Sequence, residues 1–82
     1  VSEFVPNPTA DNARLFILTG KEQAVEIEMF NYLGEIVKQG SSYLNKGSNT
    51  INFELGDLAA GTYTARIVAG PNSYVRRIVI TR

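Results

Sequence analysis

Apolar and polar side chains alternate along much of this chain. Val25, Ile27 and Met29 alternate with Glu26 and Glu28, which predicts a strand from 24 to 30 with one buried and one solvated face. The same period, or a similar cluster of β-branched and aromatic residues, predicts further extended segments at 2–9, 13–18, 35–39, 50–55, 62–69 and 74–80. No stretch has a helical period.

Residues typical of turns separate these segments. Asn31–Gly34 predicts a hairpin, with Gly34 suited to the left-handed conformation that closes such a turn. Gly70–Ser73 predicts a second hairpin, and the compositions of 40–42 and 45–49 predict loops. The resulting fold is all-β, an antiparallel sandwich of about seven short strands whose order within the sheets the pattern leaves open.

The stretch around Tyr63 predicts how one end of the sandwich is closed. Gly61 precedes a strand in which Tyr63, Ala65 and Ile67 share one face. A Tyr in this position resembles the tyrosine corner of immunoglobulin-like sandwiches, whose phenol hydroxyl bonds back to the upstream corner. The alternative role for Tyr63 is to stack against a ligand.

Length and composition restrict the function further. The chain has 82 residues, of which 44% are apolar, enough for a single domain with one core, here 1–82. No apolar run approaches the roughly 18 residues of a membrane span. Because the chain has neither an initiator Met nor a secretory leader, we expect it to be part of a longer protein.

The available side chains argue against an enzyme. The chain has no Cys and no His, which excludes thiol nucleophiles, imidazole acid-base chemistry and most zinc or copper sites. Glu26 and Glu28 share a strand face and are expected to be solvated, although a cation site or a carboxylate pair is the alternative. We therefore expect no catalytic residue, metal or cofactor.

Charge is unevenly distributed although the net charge is zero. All acidic residues lie at or before Asp57, and 58–82 contain only Arg66, Arg76, Arg77 and Arg82 as charged residues. One interpretation is a solvated strand whose charges protect a sheet edge, and the other is an address read by a partner. Nucleic acid is not an expected partner, since no aromatic-basic motif accompanies the arginines.

Three boxes occur in order along the whole chain. They are Phe4-Val5-Pro6-Asn7-Pro8, then Val25-x-Ile27-x-Met29-Phe30-Asn31-x-Leu33-Gly34, then Leu58-x-x-Gly61-Thr62-Tyr63 followed by a strand, a turn and a basic-apolar strand. Together they resemble the C-terminal sorting domain of the type IX (Por) secretion system of Bacteroidota. Two positions depart from the family pattern: Glu35 stands where a Lys or Arg is usual, and Arg replaces Lys in the last strand.

This resemblance implies a non-catalytic secretion signal with an immunoglobulin-like fold. A larger cargo protein would carry it through the periplasm to the outer-membrane type IX translocon. A sortase-like peptidase would then remove it and leave the cargo on the cell surface or in the medium. The residues implied in translocon recognition are Pro6, Asn7, Pro8, Asn31, Leu33, Gly34, Gly61, Tyr63, Arg76, Arg77, Ile78, Val79, Ile80 and Arg82.

Each box also has a purely structural interpretation. Pro6 and Pro8 would blunt an edge strand, and Gly34 and Gly61 would serve backbone geometry. An exposed edge strand could also pair with a second copy of the chain.

Two other functions compete with sorting. A carbohydrate-binding or adhesive module would display Tyr32, Tyr43 and Tyr74 on one exposed platform, and a spacer domain would tolerate any change in the last strand.

Overall fold

The computed structural model describes Val1–Arg82 as an all-β sandwich of six antiparallel strands, which confirms the predicted fold class. The strands are β1 (Asn12–Thr19), β2 (Gln23–Phe30), β3 (Ile36–Leu44), β4 (Gly47–Glu54), β5 (Gly61–Ala69) and β6 (Asn72–Ile80). One sheet pairs β1 with β4, and the other has the order β3-β2-β5-β6. No helix long and apolar enough to cross a membrane is present.

The segment before β1 is not the seventh strand that the pattern predicts. It bridges the first sheet at Val5, which pairs with Arg14, and the second sheet at Thr9, which pairs with Ile80. Pro6 and Pro8 have no backbone N–H, and both of the peptide bonds that precede them are cis. The segment therefore switches sheets where its prolines interrupt regular pairing.

The predicted loop at 40–42 is wrong, and the one at 45–49 is confirmed only at 45 and 46. β3 continues to Leu44, because Gly40, Ser41 and Ser42 pair with Ile27, Glu26 and Val25 of β2. β4 begins at Gly47, so only two residues, 45 and 46, connect the strands. Pairing with the long alternating strand β2 outweighs the loop-like composition of these small residues.

Alternation along the strands fills one core between the sheets. Val25, Ile27 and Met29 are buried while Glu26 is exposed, as predicted. Sixteen apolar residues form the core cluster, and Ile51 and Leu58 pack against it from partly buried positions. Phe4 of the sheet-switching segment belongs to this core, where its ring meets that of Phe53 edge-on at a centroid distance of 5.1 Å.

The tyrosine corner is confirmed. The Tyr63 hydroxyl donates to the Ala59 carbonyl at 2.6 Å, and the ring is buried, which argues against a ligand-stacking role. Asp57 lies in the same corner, and its hydrogen bond from Lys38 at 3.0 Å lowers the pKa of the carboxyl below 3.8, helped by a backbone hydrogen bond. The corner is thus tied to β3 as well as to β5.

Replacing Tyr63 by Phe tests the corner. Tyr63→Phe keeps the buried ring and removes only the bond to Ala59, so the free energy of unfolding should fall by about 0.5–1.5 kcal/mol. Chemical denaturation followed by circular dichroism measures this change. Tyr32→Phe is the matched control, since Tyr32 is 84% exposed, and an equal loss in both variants would contradict the corner's role.

Candidate recognition site

The outer edge of β6 is partly covered by the side chain of Asn7. β6 is the last strand of its sheet, so its outward backbone groups have no strand partner. The Asn7 amide donates to the Arg77 carbonyl and accepts from the Val79 N–H, both at 3.0 Å. One side chain therefore makes the pair of bonds that a neighbouring strand would otherwise make.

Thr9 continues this covering toward the end of the chain. Its N–H donates to the Val79 carbonyl at 2.9 Å, and its carbonyl accepts from the Thr81 N–H at 2.8 Å. Pro6 and Pro8 flank Asn7 on the surface. Because Asn7 pairs through its side chain, the missing proline donors leave no gap, and the C-terminal half of the β6 edge is closed to strand addition.

The N-terminal half of the same edge is open. Arg77 and Val79 direct their backbone groups outward, and alternation gives Ser73 and Val75 the same direction. The Val75 carbonyl accepts from the Arg76 guanidinium at 2.8 Å. The N–H of Val75 and both backbone groups of Ser73 have no partner in the chain, so a short strand edge faces solvent.

Arg76 lies on the inner face of the sheet. It pairs in register with Ala65, which is fully buried, so its guanidinium reaches across to the N-terminal segment. It donates to the Val1 carbonyl at 2.7 Å and to the Ser2 carbonyl at 3.1 Å. The Glu3 carboxylate lies 3.6 Å from the Arg76 guanidinium. Together these contacts hold the first residues of the chain against β6.

Arg82 is also used within the domain, whereas Arg77 is free. Arg82 donates to the Leu55 carbonyl at 2.6 Å and to the Ala10 carbonyl at 3.2 Å. Arg77 is exposed on the outer face and its side chain makes neither an ion pair nor a hydrogen bond. Of the three arginines in β6 and at the C-terminus, Arg76, Arg77 and Arg82, only Arg77 is available to a partner.

A family model describes the whole of this arrangement. The secretion system C-terminal sorting domain matches residues 3–81, which include the Pro-Asn-Pro segment, the hairpin, the corner and β6. The chain belongs to this family. It is therefore a type IX secretion sorting domain. The family consists of sorting signals and is not a catalytic family. Searches of curated proteins and of solved structures returned no match.

The hairpin that joins β2 to β3 lies at the same end of the four-stranded sheet as Arg77. Phe30, Thr64 and Arg77 form one row across β2, β5 and β6, so the hairpin lies two strands from Arg77, about 10 Å at the usual strand spacing. The Asn31 carboxamide oxygen accepts from the N–H groups of Leu33 and Glu35 at 2.9 and 3.0 Å. The hairpin is thus braced by its own hydrogen bonds and lies at the Arg77 end of β6.

Asn31 and Gly34 determine the geometry of this turn. Gly34 has a φ of 83°, as predicted, and Asn31 donates to the Glu35 carboxylate at 3.0 Å. Glu35, where the family usually has a cation, therefore supports the turn. The large apolar side chains exposed at the tip are Leu33 and Tyr32.

The predicted recognition residues separate into exposed and buried groups. Pro6, Asn7 and Pro8 lie beside Arg77 and the half-buried Val79. Ile78, Ile80 and Tyr63 point into the core, so a partner that reads the folded sorting domain does not reach them.

Sequence reasoning missed Thr9 and Val75. The threonine is almost fully buried and extends the edge pairing. Val75 is 59% exposed beside the open edge. The alternation of Val75, Arg77 and Val79 along β6 was the available signal for their common outer face.

Asn7→Ala should expose the covered half of β6. The variant loses both bonds to the strand edge, so the free energy of unfolding should fall by about 1–2 kcal/mol. The Val79 amide should exchange faster with deuterium. Asn52→Ala is the control, since Asn52 is exposed and its side chain has no hydrogen bond. Unchanged exchange at Val79 would contradict the covering role.

Arg76 and Arg77 should differ in their effect on stability. Arg76→Ala removes charged hydrogen bonds to the N-terminal segment and should lower the free energy of unfolding by about 1.5–3 kcal/mol. Arg77→Ala should change it by less than about 0.5 kcal/mol. Urea denaturation of both variants measures the difference, and equal effects would contradict the assignment of Arg76 to the inner face.

Proposed function

We propose that the type IX machinery reads the sorting domain in its folded state, through Arg77 and the open half of the β6 edge. The observation that carries this proposal is that Arg77 is the one cation of the C-terminal strand not used within the domain. It lies next to the Val75 N–H and the two backbone groups of Ser73, which have no partner in the chain. A charge and a strand edge together form a compact recognition surface.

Strand addition would supply most of the contact. An extended segment of the translocon pairs with Ser73 and Val75 through backbone hydrogen bonds, and Val75 offers an apolar contact beside them. The Arg77 guanidinium orients this segment by binding a carboxylate, for which its planar geometry is suited. Because the bonds to the backbone carry little side-chain specificity, Arg77 provides the selection.

The Pro-Asn-Pro segment restricts where pairing occurs. Asn7 and Thr9 already occupy the C-terminal half of the edge, so an incoming strand is limited to the N-terminal half. The same restriction hinders long edge-to-edge pairing between copies. A symmetric pair of copies through the short open half would compete with the translocon.

We propose that the domain passes through the periplasm folded and that a sortase-like peptidase then removes it, leaving the cargo on the cell surface. The first residues support this route. Val1 and Ser2 are partly exposed and held at the edge of the sandwich by Arg76. A connection to the cargo therefore leaves from the surface, where a peptidase has access.

A carbohydrate-binding or adhesive role is less well supported. Tyr32 is at the hairpin tip, beyond the end of β2, whereas Tyr43 pairs with Ala24 near the other end of that strand. Tyr74 is half-buried and faces inward opposite Ile67. The three rings share no platform on which a sugar could stack.

Export of a fusion protein tests the sorting role and its site together. The domain is fused to the C-terminus of a periplasmic fluorescent protein, in a type IX-competent host and in a strain without the translocon. Surface and medium fluorescence should require both the translocon and an intact β6. Arg77→Glu should lower exported fluorescence by about tenfold or more, since it reverses the selecting charge.

Matched variants separate recognition from folding. Lys46→Glu makes the same charge reversal at the exposed β3–β4 connection and should export normally. If Arg77→Glu exports like the wild type, the proposed site is wrong and the spacer interpretation gains support. If the wild-type fusion stays in the periplasm of both strains, sorting itself fails.

A further inference from the structure

The side of the sandwich opposite the N-terminal segment is open. β3 and β4 are terminal strands of different sheets, and no backbone hydrogen bond joins them. Between them lies a groove of about 590 Å³ with Lys38–Ser42 on one rim and Thr50–Glu54 on the other. Its floor contains Ile27, Met29 and Phe53, which belong to the hydrophobic core.

The groove exists because β3 has no apolar side chain on its inner face between Lys38 and Ser42. Residues directly opposite in an antiparallel pair point to the same side. Lys38, Gly40 and Ser42 lie opposite Met29, Ile27 and Val25, so these three β3 residues face the core side. A Cβ added at Gly40 would meet no atom within 4 Å, which shows that space remains above Ile27.

The rims of the groove carry unpaired backbone groups. The groups of β3 directed away from β2, and those of β4 directed away from β1, have no backbone partner along the lining segments. A floor of apolar side chains between two such rims fits an extended strand. Such a strand would bond to a rim and place every second side chain on the floor.

The charged residues around the groove determine which polar side chains suit a bound strand. Asp11, Glu54 and Asp57 surround one end of the groove. The neighbouring cation, Lys38, is bonded to Asp57. This end of the groove is therefore acidic overall and favours a basic occupant.

We propose that the β3–β4 groove binds an extended peptide segment of a partner protein whose side chains alternate between apolar and basic. The apolar side chains pack on Ile27 and Phe53, and the basic ones lie near Asp11, Glu54 and Asp57 at the acidic end of the groove. Each rim segment has five residues, which span roughly 17 Å in a strand. This inference does not depend on the sorting role, because it concerns the opposite side of the sandwich from Arg77.

Direct binding tests the proposal. The probe is a fluorescein-labelled, capped peptide of alternating lysine and valine, about seven residues long to match the rims. Fluorescence anisotropy with the wild-type domain should give a Kd in the micromolar range. This Kd should rise as the salt concentration is raised. An alternating glutamate-valine peptide, and the lysine peptide N-methylated on its backbone, should each bind at least about tenfold more weakly.

Gly40→Val locates the binding site. The added side chain fills the space above Ile27, so the variant should be at least as stable as the wild type and bind the probe about tenfold more weakly or worse. Ser48→Val is the control, because Ser48 is an exposed strand residue that pairs with Leu18 and lies outside the groove lining. It should bind normally. Thermal unfolding of both variants verifies that they are folded.

Several results would overturn the proposal. They are undetectable binding to the wild type, equal affinity for the acidic or N-methylated peptide, or unchanged affinity of Gly40→Val. Sedimentation of the domain without peptide tests whether a second copy of the chain occupies the groove. A wild-type dimer that becomes a monomer in Gly40→Val would show that a second copy, rather than a partner peptide, covers the groove.

Discussion

The sheet-switching segment at the N-terminus is the constraint on which the rest of the structure depends. Val5 pairs with Arg14 in the first sheet, and Asn7 and Thr9 pair with β6 in the second. Between these bonds, Phe4 enters the core between the sheets. Because β1 and β6 have no direct ladder, this segment closes one side of the sandwich and determines which part of β6 stays free.

This arrangement unites the two ends of the sequence in one folding unit. The bonds from Asn7 to β6 and from Arg76 to Val1 join residues separated by 70 or more positions. Deleting the last strand therefore also releases the segment that closes the sandwich. A failure of such a truncation to be exported would reflect lost folding as much as lost recognition, whereas a change at Arg77 leaves both sheets intact.

Much of the fold could be predicted from the alternation of side chains. The inner positions of β2 and β5, and the corner at Tyr63, follow from local pattern alone. The roles of Asn7 and Arg76 could not be predicted, because they depend on which strand edge lies beside which segment. The strand at Gly40–Ser42 was missed for a related reason, since its pairing with β2 is a tertiary effect.

The two sides of the sandwich differ in a way that stability does not explain. A chain of this size has a small core and a narrow margin of stability. An apolar residue in place of Gly40 would cover the part of Ile27 that is still exposed, at about 0.8 kcal/mol for every methylene removed from water. The side held by Phe4 is closed by the chain itself, whereas the β3–β4 side has small or polar residues where closure would stabilise the fold. Such a departure from good packing is typical of a surface that binds something else.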